Sequence, residues 1–454
     1  MMAPARAQSL PDPKCTGKPG ITWDEQIIGC TDAINAAGQA GKDLAGALIN
    51  RGKAYQAKGD VDRALADFEQ AIKLDAAAAR AFHGRGNVYF GKGDYDSAIA
   101  DYSKEIALDP NNAFAFNNRG NAYSAKGEPD LAIADFDQAI RLDPNAGYPY
   151  NGRGGAYKAK GDPDRAFADF EQAVRLDPKD AAAFNNRAIA YQTKGDLDLA
   201  MADYGQAIAL DPGYAVAFAN RGKLYQAKGD FERAIVDYDS AIRLNPNYAG
   251  AYESRGSAYG NMNDQDRAIA DYDQAIRLNP ASAHAFYNRG SAHAAKMDLD
   301  HAIADFDSAI RLNPNDAVAV NSRGGAYRFK GDLDRAIADF SEAIRLEPNY
   351  VFALNNRSVA YQDKKDFDRA IADASEAIRI NPEFAVAFSS RGHALQAKGD
   401  LDRAIADYDS AIRLHPDYAI ALYARGTAKQ QKGDKAGGDA DIAEARKLDP
   451  NIGR

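Results

Sequence analysis

The sequence repeats itself with a fixed period of about 34 residues, and this period constrains the fold more than any other feature. Each period carries an arginine at the same position, and no insertion interrupts the spacing. Periods of about 20 to 50 residues are typical of repeat architectures, in which each repeat buries its apolar face only against its neighbours. We therefore predict stacked repeats rather than independent globular domains. The twelve predicted repeats are 45–78, 79–112, 113–146, 147–180, 181–214, 215–248, 249–282, 283–316, 317–350, 351–384, 385–418 and 419–452.

Each repeat reads as two short helices joined by a turn. In repeat 113–146, Phe116, Gly120 and Tyr123 share one face of a first helix. A glycine then ends that helix, and Pro129 opens a second one, which is the position that proline favours in a helix. Both apolar stripes are too narrow to be buried by an isolated hairpin, so the pattern predicts that neighbouring hairpins stack.

A bulky residue followed by small Gly, Tyr, Ala, an aromatic residue, Ala and Pro at this spacing resembles the tetratricopeptide repeat (TPR) family. The resemblance covers residues 45–452. It implies an all-α fold, an α-solenoid in which antiparallel helix pairs form a right-handed superhelix. It also implies that the chain recognises other proteins on a concave face formed by the first helices.

The repeats depart from the family in two coupled ways, because all twelve have Arg where Leu is usual and Asp where an aromatic residue is often found. This coupling predicts a ladder of Arg–Asp pairs across the helix interface. Arg119, for example, could pair with Asp135 of its own repeat or with Asp101 of the preceding one, and the sequence does not choose. A rival interpretation is a basic stripe that grips an acidic ligand. Representative members of the ladder are Arg119, Asp135, Arg221, Asp237, Arg323 and Asp339.

In the TPR family the groove is lined by first-helix residues next to the ladder position. This resemblance implies a peptide-binding groove rich in asparagine, whose amide can match a peptide backbone without reading side chains. The alternative is that these amides cap helices or face water. The predicted groove residues are Asn50, Asn117, Asn118, Asn151, Asn185, Asn186, Asn220, Asn288, Asn321, Asn355, Asn356, Phe114 and Tyr148.

The residues ahead of the repeats suggest export. Residues 1–24 look like an N-terminal segment that keeps a remnant of a secretion signal. The small residues around Arg6 resemble a signal cleavage site, but no apolar core precedes them, so only a remnant is suggested. Residues 25–44 resemble a degenerate second helix that caps the first repeat. Cys15 and Cys30 would form a disulfide in an oxidising compartment, whereas in a reducing one Cys30 would be a small buried residue. We expect a bacterial periplasmic or secreted protein, with a cytoplasmic one as the alternative.

Composition and motifs argue against several other functions. The net charge of -9 disfavours nucleic acid, and the apolar runs are too short for membrane insertion. The carboxylates recur with the repeat, so we predict no catalytic residues, no enzyme activity and no cofactor, and a small-molecule substrate is not expected. The histidines do not fall at metal-binding spacing with a second ligand in the same repeat, so no metal is predicted.

These observations together predict a non-enzymatic scaffold or adaptor that binds extended protein or peptide segments. The alternative is an accessory subunit of an envelope or secretion system that binds glycans or polysaccharide through aromatic groove residues.

Overall fold

The computed structural model describes residues 13–16, 18–36 and 41–453, and this part of the chain contains helices and turns but no strand. The predicted all-α fold of repeated helix pairs is confirmed. The chain divides into two compact units, Met1–Arg221 and Gly222–Arg454, which are called the first and the second compact unit below.

The first compact unit begins with a short 3-10 helix, Pro13–Thr16, followed by a series of α-helices in which each contacts the next. The helices are α1 (Trp23–Ala36), α2 (Lys42–Ala57), α3 (Val61–Leu74), α4 (Ala79–Gly91), α5 (Tyr95–Leu108), α6 (Ala113–Lys126), α7 (Pro129–Leu142), α8 (Tyr148–Ala159), α9 (Pro163–Leu176), α10 (Ala181–Lys194) and α11 (Leu197–Leu210). Helix α12 (Ala215–Ala227) contains the boundary between the two units.

The second compact unit continues the same alternation of first and second helices. Its helices are α13 (Phe231–Leu244), α14 (Ala249–Asn261), α15 (Gln265–Leu278), α16 (Ala283–Ala295), α17 (Leu299–Leu312), α18 (Ala317–Phe329), α19 (Leu333–Leu346), α20 (Val351–Asp363), α21 (Phe367–Ile380), α22 (Ala385–Ala397), α23 (Leu401–Leu414), α24 (Ala419–Lys432) and α25 (Lys435–Leu448).

The N-terminal predictions fall partly on described residues. Most of the possible signal remnant, residues 1–12 and residue 17, lies outside the described residues, as do residues 37–40 of the predicted capping segment. Helix α1 covers Trp23–Ala36 and packs against α2, and α2 begins shortly ahead of the repeat boundary at residue 45. The division of the chain into repeats stays a prediction from the sequence.

Turn chemistry sets the ends of the helices. Second helices commonly begin at an aspartate cap, such as Asp162, whose carboxylate accepts a hydrogen bond from the backbone N–H of Arg165. The turn between the two helices of a repeat usually contains a glycine with positive φ, such as Gly127 at 83°. Asn263 and Met297 take the same conformation without being glycine.

The interior of most repeats contains an aromatic ring packed against glycine. Phe136 is fully buried on α7 and lies between α6 and α8. A Cβ atom added to Gly120 would come within 2.9 Å of its ring, and one added to Gly152 would come within 2.5 Å. These close approaches leave the ring no room for a larger neighbour, so the recurring glycines fix the distance between helices.

Candidate binding groove

The ladder arginines are engaged in pairs between helices. Arg119 donates from Nε and Nη2 to the two carboxylate oxygens of Asp135, each at 2.7 Å. The partner is therefore the Asp of the same repeat, which resolves the alternative that the sequence left open. Among the described residues, such two-point pairs are made by Arg51, Arg85, Arg119, Arg153, Arg187, Arg255, Arg289, Arg323, Arg357, Arg391 and Arg425.

The remaining guanidinium nitrogen reaches the preceding repeat in many of these pairs. Arg119 Nη1 donates to Ser103 Oγ at 3.0 Å, and Arg323, which pairs with Asp339, donates to Asp307 at 2.6 Å. The acceptor is a residue of the preceding second helix other than its ladder aspartate. Each of these arginines therefore joins its own second helix to that of the preceding repeat.

Burial and charge balance identify the ladder as part of the scaffold. Asp135 is 6% exposed, and the other ladder aspartates, Asp237 included, are similarly buried. The hydrogen bond that Arg153 donates to Asp169 is the largest of the effects that raise the pKa of the Arg153 guanidinium above its ordinary value. Arg221 lies on α12 at the same position of its repeat. Because the guanidinium groups of the described pairs are neutralised by carboxylates, the ladder does not supply a basic stripe for an acidic ligand.

In the first compact unit, the first helix α6 contacts α8, and α8 contacts α10, so that these first helices form one surface. A groove of about 800 Å³ lies on this surface, along α6, α8 and the start of α10. None of the described residues that line it carries a charged side chain. They are Phe90, Asn117, Asn121, Ser124, Ala125, Gly127, Pro129, Tyr148, Asn151, Gly152, Gly155, Ala156, Ala159 and Asn186.

Two glycines of α8 give the groove its floor for different reasons. At Gly152 a side chain would clash with the Phe136 ring, because a Cβ atom there would lie within 2.5 Å of it. Gly155 meets nothing within 4 Å of the position where a Cβ would lie, so packing does not require glycine there. A side chain at residue 155 would fill the groove, and its absence keeps the groove open.

Two residues that line the groove each have a buried polar atom without a hydrogen-bond partner in the described part of the chain. The two atoms are Asn117 Oδ1 and the hydroxyl of Tyr148. Burial raises the pKa of the Tyr148 phenol above its ordinary value. Buried polar groups are rarely left unpaired, because each costs about 1–3 kcal/mol, so these two atoms set this part of the first-helix surface apart.

The structure brings together four of the predicted groove residues, Asn117, Tyr148, Asn151 and Asn186. Asn186 Nδ2 donates to Asn151 Oδ1 at 2.8 Å, so the two amides form a bridge between α8 and α10. Phe114 lies outside the lining but stacks on the Tyr148 ring, with 4.7 Å between centroids.

The same amide bridge recurs between the first helices of other successive repeats. Asn220 donates to Asn185 at 3.0 Å, and in the second compact unit Asn356 donates to Asn321 at 3.0 Å. The Oδ1 atom of Asn355 is buried and has no partner within the described residues, like that of Asn117. These predicted residues therefore form amide-rich rows along the first helices.

The other predicted amides make contacts of different kinds. Asn118 Oδ1 accepts a long 3.4 Å hydrogen bond from Asn117, and Asn288 contacts His284 on its own helix. Asn50 donates to the backbone carbonyl of Cys15 at 2.8 Å and so holds the N-terminal segment against α2. Cys15 itself forms a disulfide with Cys30, with 4.5 Å between the Cα atoms.

Sequence reasoning missed the other lining residues, among them Phe90 and Asn121. Asn121 lies four residues after Asn117 and therefore on the same face of α6, so helical periodicity could have found it. Phe90 is contributed by the preceding repeat, and only the packing of α4 near α6 shows that it reaches the groove.

Sequence spacing gave no metal-binding set among the histidines, yet the structure brings three side chains with metal-binding atoms together in one repeat. His293, Asp298 and His301 lie in repeat 283–316, and one ligand atom from each falls within 4.8 Å of the others. The two histidines are separated in the sequence by a turn. Because the turn folds the second helix back on the first, residues on different helices become neighbours.

Within the described residues, no helix has the length and apolar content that crossing a membrane requires. A comparison with curated protein sequences gives no match. Many solved structures match the chain, and three of them have TM-scores between 0.36 and 0.48. The APC/C hetero-tetramer Cut9–Hcn1 has a TM-score of 0.48, with 14% identity and coverage of 94% of this chain and 91% of that chain.

The other two structures cover less of this chain. A tetratricopeptide repeat protein from Parabacteroides merdae has a TM-score of 0.43 and 21% identity, covering 55% of this chain and 98% of its own. YrrB, a TPR protein with an unusual peptide-binding site, has a TM-score of 0.36 and 24% identity, covering 41% of this chain and 95% of its own.

Family sequence models match most of the repeats. The model described as TPR repeat matches 52–93, 86–127, 154–195 and 392–433. Two models described as tetratricopeptide repeat match 113–146, 181–214 and 215–248, and 254–317 and 322–383, respectively. This fold is typically a non-catalytic scaffold. The chain therefore belongs to the tetratricopeptide repeat family and is a repeat scaffold of the kind that supports protein–protein interaction.

Proposed function

We propose that the chain binds an extended, uncharged polypeptide segment in the groove along α6, α8 and α10. The observation that carries this proposal is that two buried atoms, Asn117 Oδ1 and Tyr148 OH, have no hydrogen-bond partner among the described residues and belong to a groove whose described lining is uncharged. A peptide backbone offers an N–H donor for the amide oxygen and a carbonyl acceptor for the phenol.

The shape of the groove supports an extended segment. Packed helices lie roughly 8–10 Å apart, so a path across three first helices is about 20 Å long. An extended chain rises about 3.3 Å per residue, which corresponds to roughly six residues. The open floor at Gly155 leaves room for a backbone or a small apolar side chain to approach α8 closely.

The lining also argues for a ligand without charge. A carboxylate or phosphate would need a cation or a cluster of donors, and a lysine-rich ligand would need carboxylates. Amides and aromatic rings instead match backbone amides and small side chains. The amide bridge between Asn151 and Asn186 extends this surface toward α10, so a longer ligand would be held at several points.

The test is binding of a library of eight-residue, uncharged peptides, capped at both ends, to the intact chain. Gly155→Leu should block binding, because its side chain would occupy the groove while its Cβ meets no neighbouring atom. Gly325→Leu is the matched control, since Gly325 holds the same position in repeat 317–350 and also has nothing within 4 Å. N-methylation of the peptide backbone should abolish binding by removing the donors. Equal binding to both variants would contradict the proposal.

Glycan binding is the second candidate function, and one observation favours it. Phe114 is 59% exposed although it is stacked on Tyr148, so its free face is available to stack on a sugar ring. Phe114→Ala should abolish binding of neutral oligosaccharides while peptide binding survives. If Phe114→Ala leaves sugar binding intact, or the chain binds no oligosaccharide, this candidate is eliminated.

We also propose that the protein works in a bacterial periplasm or outside the cell. Its Cys15–Cys30 disulfide supports an oxidising compartment, because disulfides are rarely kept in the cytoplasm. Alkylation of the protein in its native cells, followed by mass spectrometry, should find both cysteines protected. Modified cysteines would favour the cytoplasmic alternative.

A further inference from the structure

The turn between the two helices of a repeat carries a recurring three-residue stack. In repeat 249–282, Asp264 caps the second helix and accepts a hydrogen bond from Arg267 Nε at 2.6 Å. The guanidinium carbon of Arg267 lies 4.3 Å from the ring centroid of Tyr259. Tyr, Asp and Arg occupy these three positions in the repeats that begin at residues 45, 147, 215, 249, 317 and 351.

Repeat 283–316 replaces both partners of the aspartate at once. Its three residues are His293, Asp298 and His301, and none of the other repeats has histidine at either position. The geometry of the stack is kept, because the two imidazole rings lie 5.1 Å apart with an angle of 24° between them. A phenol and a guanidinium, which are poor metal ligands, have thus been exchanged for two imidazoles around an unchanged carboxylate.

We propose that His293, Asp298 and His301 bind a divalent transition metal ion, with Zn²⁺ as the best match. Two imidazoles and one carboxylate form a ligand set that proteins use for zinc and for related metals. This inference does not rest on the proposed peptide binding, since the cluster lies in the second compact unit and the groove in the first.

The distances within the cluster fit a small coordination sphere. Zinc lies about 2.0–2.2 Å from such ligands, so ligand atoms in a tetrahedral site are about 3.3 Å apart. His293 Nδ1 is 3.3 Å from Asp298 Oδ2, and His301 Nδ1 is 2.8 Å from it. Rotation of the exposed His301 side chain would open the shorter separation by about 0.5 Å, a small adjustment for a residue at the surface.

The surroundings leave room for the ion and do not oppose its charge. The side chains of His301 and Asp298 are 72% and 40% exposed, so water can enter and take the remaining coordination position. His293 is 16% exposed and lies in the last turn of α16, which holds one ligand in place. Lys296, the basic residue of this turn, pairs with Asp266 of the preceding repeat, which neutralises its charge.

The experiment is a titration of the full-length, untagged chain with Zn²⁺ by calorimetry, together with Co²⁺ absorption spectroscopy. We expect a site for one equivalent of Zn²⁺ and Co²⁺ bands that show nitrogen and oxygen ligation. The double variant His293→Tyr/His301→Arg restores the stack found in six other repeats, so it should fold at least as well as the natural chain. It should lose that equivalent, or bind it at least tenfold more weakly, and Asp298→Asn should behave in the same way.

His284→Ala and His415→Ala are the controls, because both residues lie outside the cluster, and each should keep the equivalent. The proposal is overturned if the natural chain takes up no Zn²⁺, or if the double variant binds it with unchanged affinity and stoichiometry. Because the double variant carries the recurring stack, a loss of binding cannot be attributed to a failure to fold if its thermal unfolding matches that of the natural chain.

Discussion

The ladder and the groove use polar side chains of the same helix in opposite ways. On α6, Arg119 has Nε, Nη1 and Nη2 all bonded to neighbours, and it joins three helices. Asn117, two residues earlier, is 8% exposed and keeps a buried oxygen with no partner among the described residues. Arg119 therefore stabilises the packing of the helices, whereas Asn117 Oδ1 contributes no hydrogen bond within the described residues.

This contrast separates the features of a repeat array that hold the fold together from those that could bind a ligand. Ladder residues recur in every repeat, and each two-point Arg–Asp pair printed for the described residues joins the two helices of one repeat. Groove residues occupy equivalent positions but differ in their partners. Asn185 stands where Asn117 stands, yet its Oδ1 accepts a hydrogen bond from Asn220. A residue that lacks the hydrogen-bond partner of its equivalent in another repeat is therefore a candidate for ligand binding.

Breaking a ladder pair should have the largest effect on stability. Arg119→Leu leaves the Asp135 carboxylate buried without its cation, and we expect the free energy of unfolding to fall by about 3–5 kcal/mol. Chemical denaturation measures this loss, and hydrogen exchange should show that it is confined to neighbouring repeats.

Arg141→Leu is the control for that experiment, since Arg141 is exposed and donates to Gln138 on its own helix. Its substitution should change stability by less than about 0.5 kcal/mol. A loss below about 1 kcal/mol for Arg119→Leu would show that the pair behaves as an exposed ion pair.

The two glycines of α8 should respond to the same substitution with opposite signs. Gly152→Ala would bring its Cβ within 2.5 Å of the Phe136 ring, and the overpacking should cost about 1–3 kcal/mol. Gly155→Ala meets open space inside a helix and should gain about 0.5–1 kcal/mol. Thermal and chemical unfolding of both variants measure these changes in stability. Equal effects would show that Gly152 and Gly155 do not differ in packing as described.

Alanine substitutions of Asn117 and Asn185 should distinguish a groove residue from a scaffold residue. Asn185→Ala removes an acceptor and leaves Asn220 without it, which should cost about 1 kcal/mol. Asn117→Ala removes an oxygen that has no partner among the described residues, so stability should stay constant or rise slightly. Peptide binding should show the reverse order, with at least a tenfold loss for Asn117→Ala. Equal stability losses would mean that Asn117 is part of the scaffold.

Much of the fold could be predicted from the sequence because it is periodic. Spacing alone located the helix pair of repeat 113–146, and α6 and α7 have the predicted turn glycine and Pro129 at the predicted places. The pairing of the ladder could not be chosen, because the Asp of the same repeat and that of the preceding one are both candidates until helix rotation is known. The contact of Arg119 with Ser103 on the preceding second helix was not suggested by the pattern at all.

The sites were less predictable because they depend on exceptions to the period. From their positions alone, all the predicted groove residues were equally plausible. Whether an amide oxygen has a hydrogen-bond partner depends on the residues around it, as the comparison of Asn117 with Asn185 shows. The openness of the groove depends on Gly155, which looks like any other glycine in the sequence. The histidine cluster was missed because residues on either side of a turn were compared by sequence distance.

The smallest expected effect is that of pH on peptide binding. The described groove lining is uncharged, and Tyr148 is its titratable member. Because burial raises the pKa of Tyr148 above its ordinary value of 10.0, its phenol stays protonated as the pH rises from 6 to 9. Peptide affinity should therefore vary less than about twofold over this range and should fall only above about pH 10. Fluorescence titration at several pH values checks this, with Tyr148→Phe as the control that should remove the alkaline loss. A midpoint near pH 6.5 would instead implicate a histidine, and one near pH 4 a carboxylate, which would move the binding surface away from this groove.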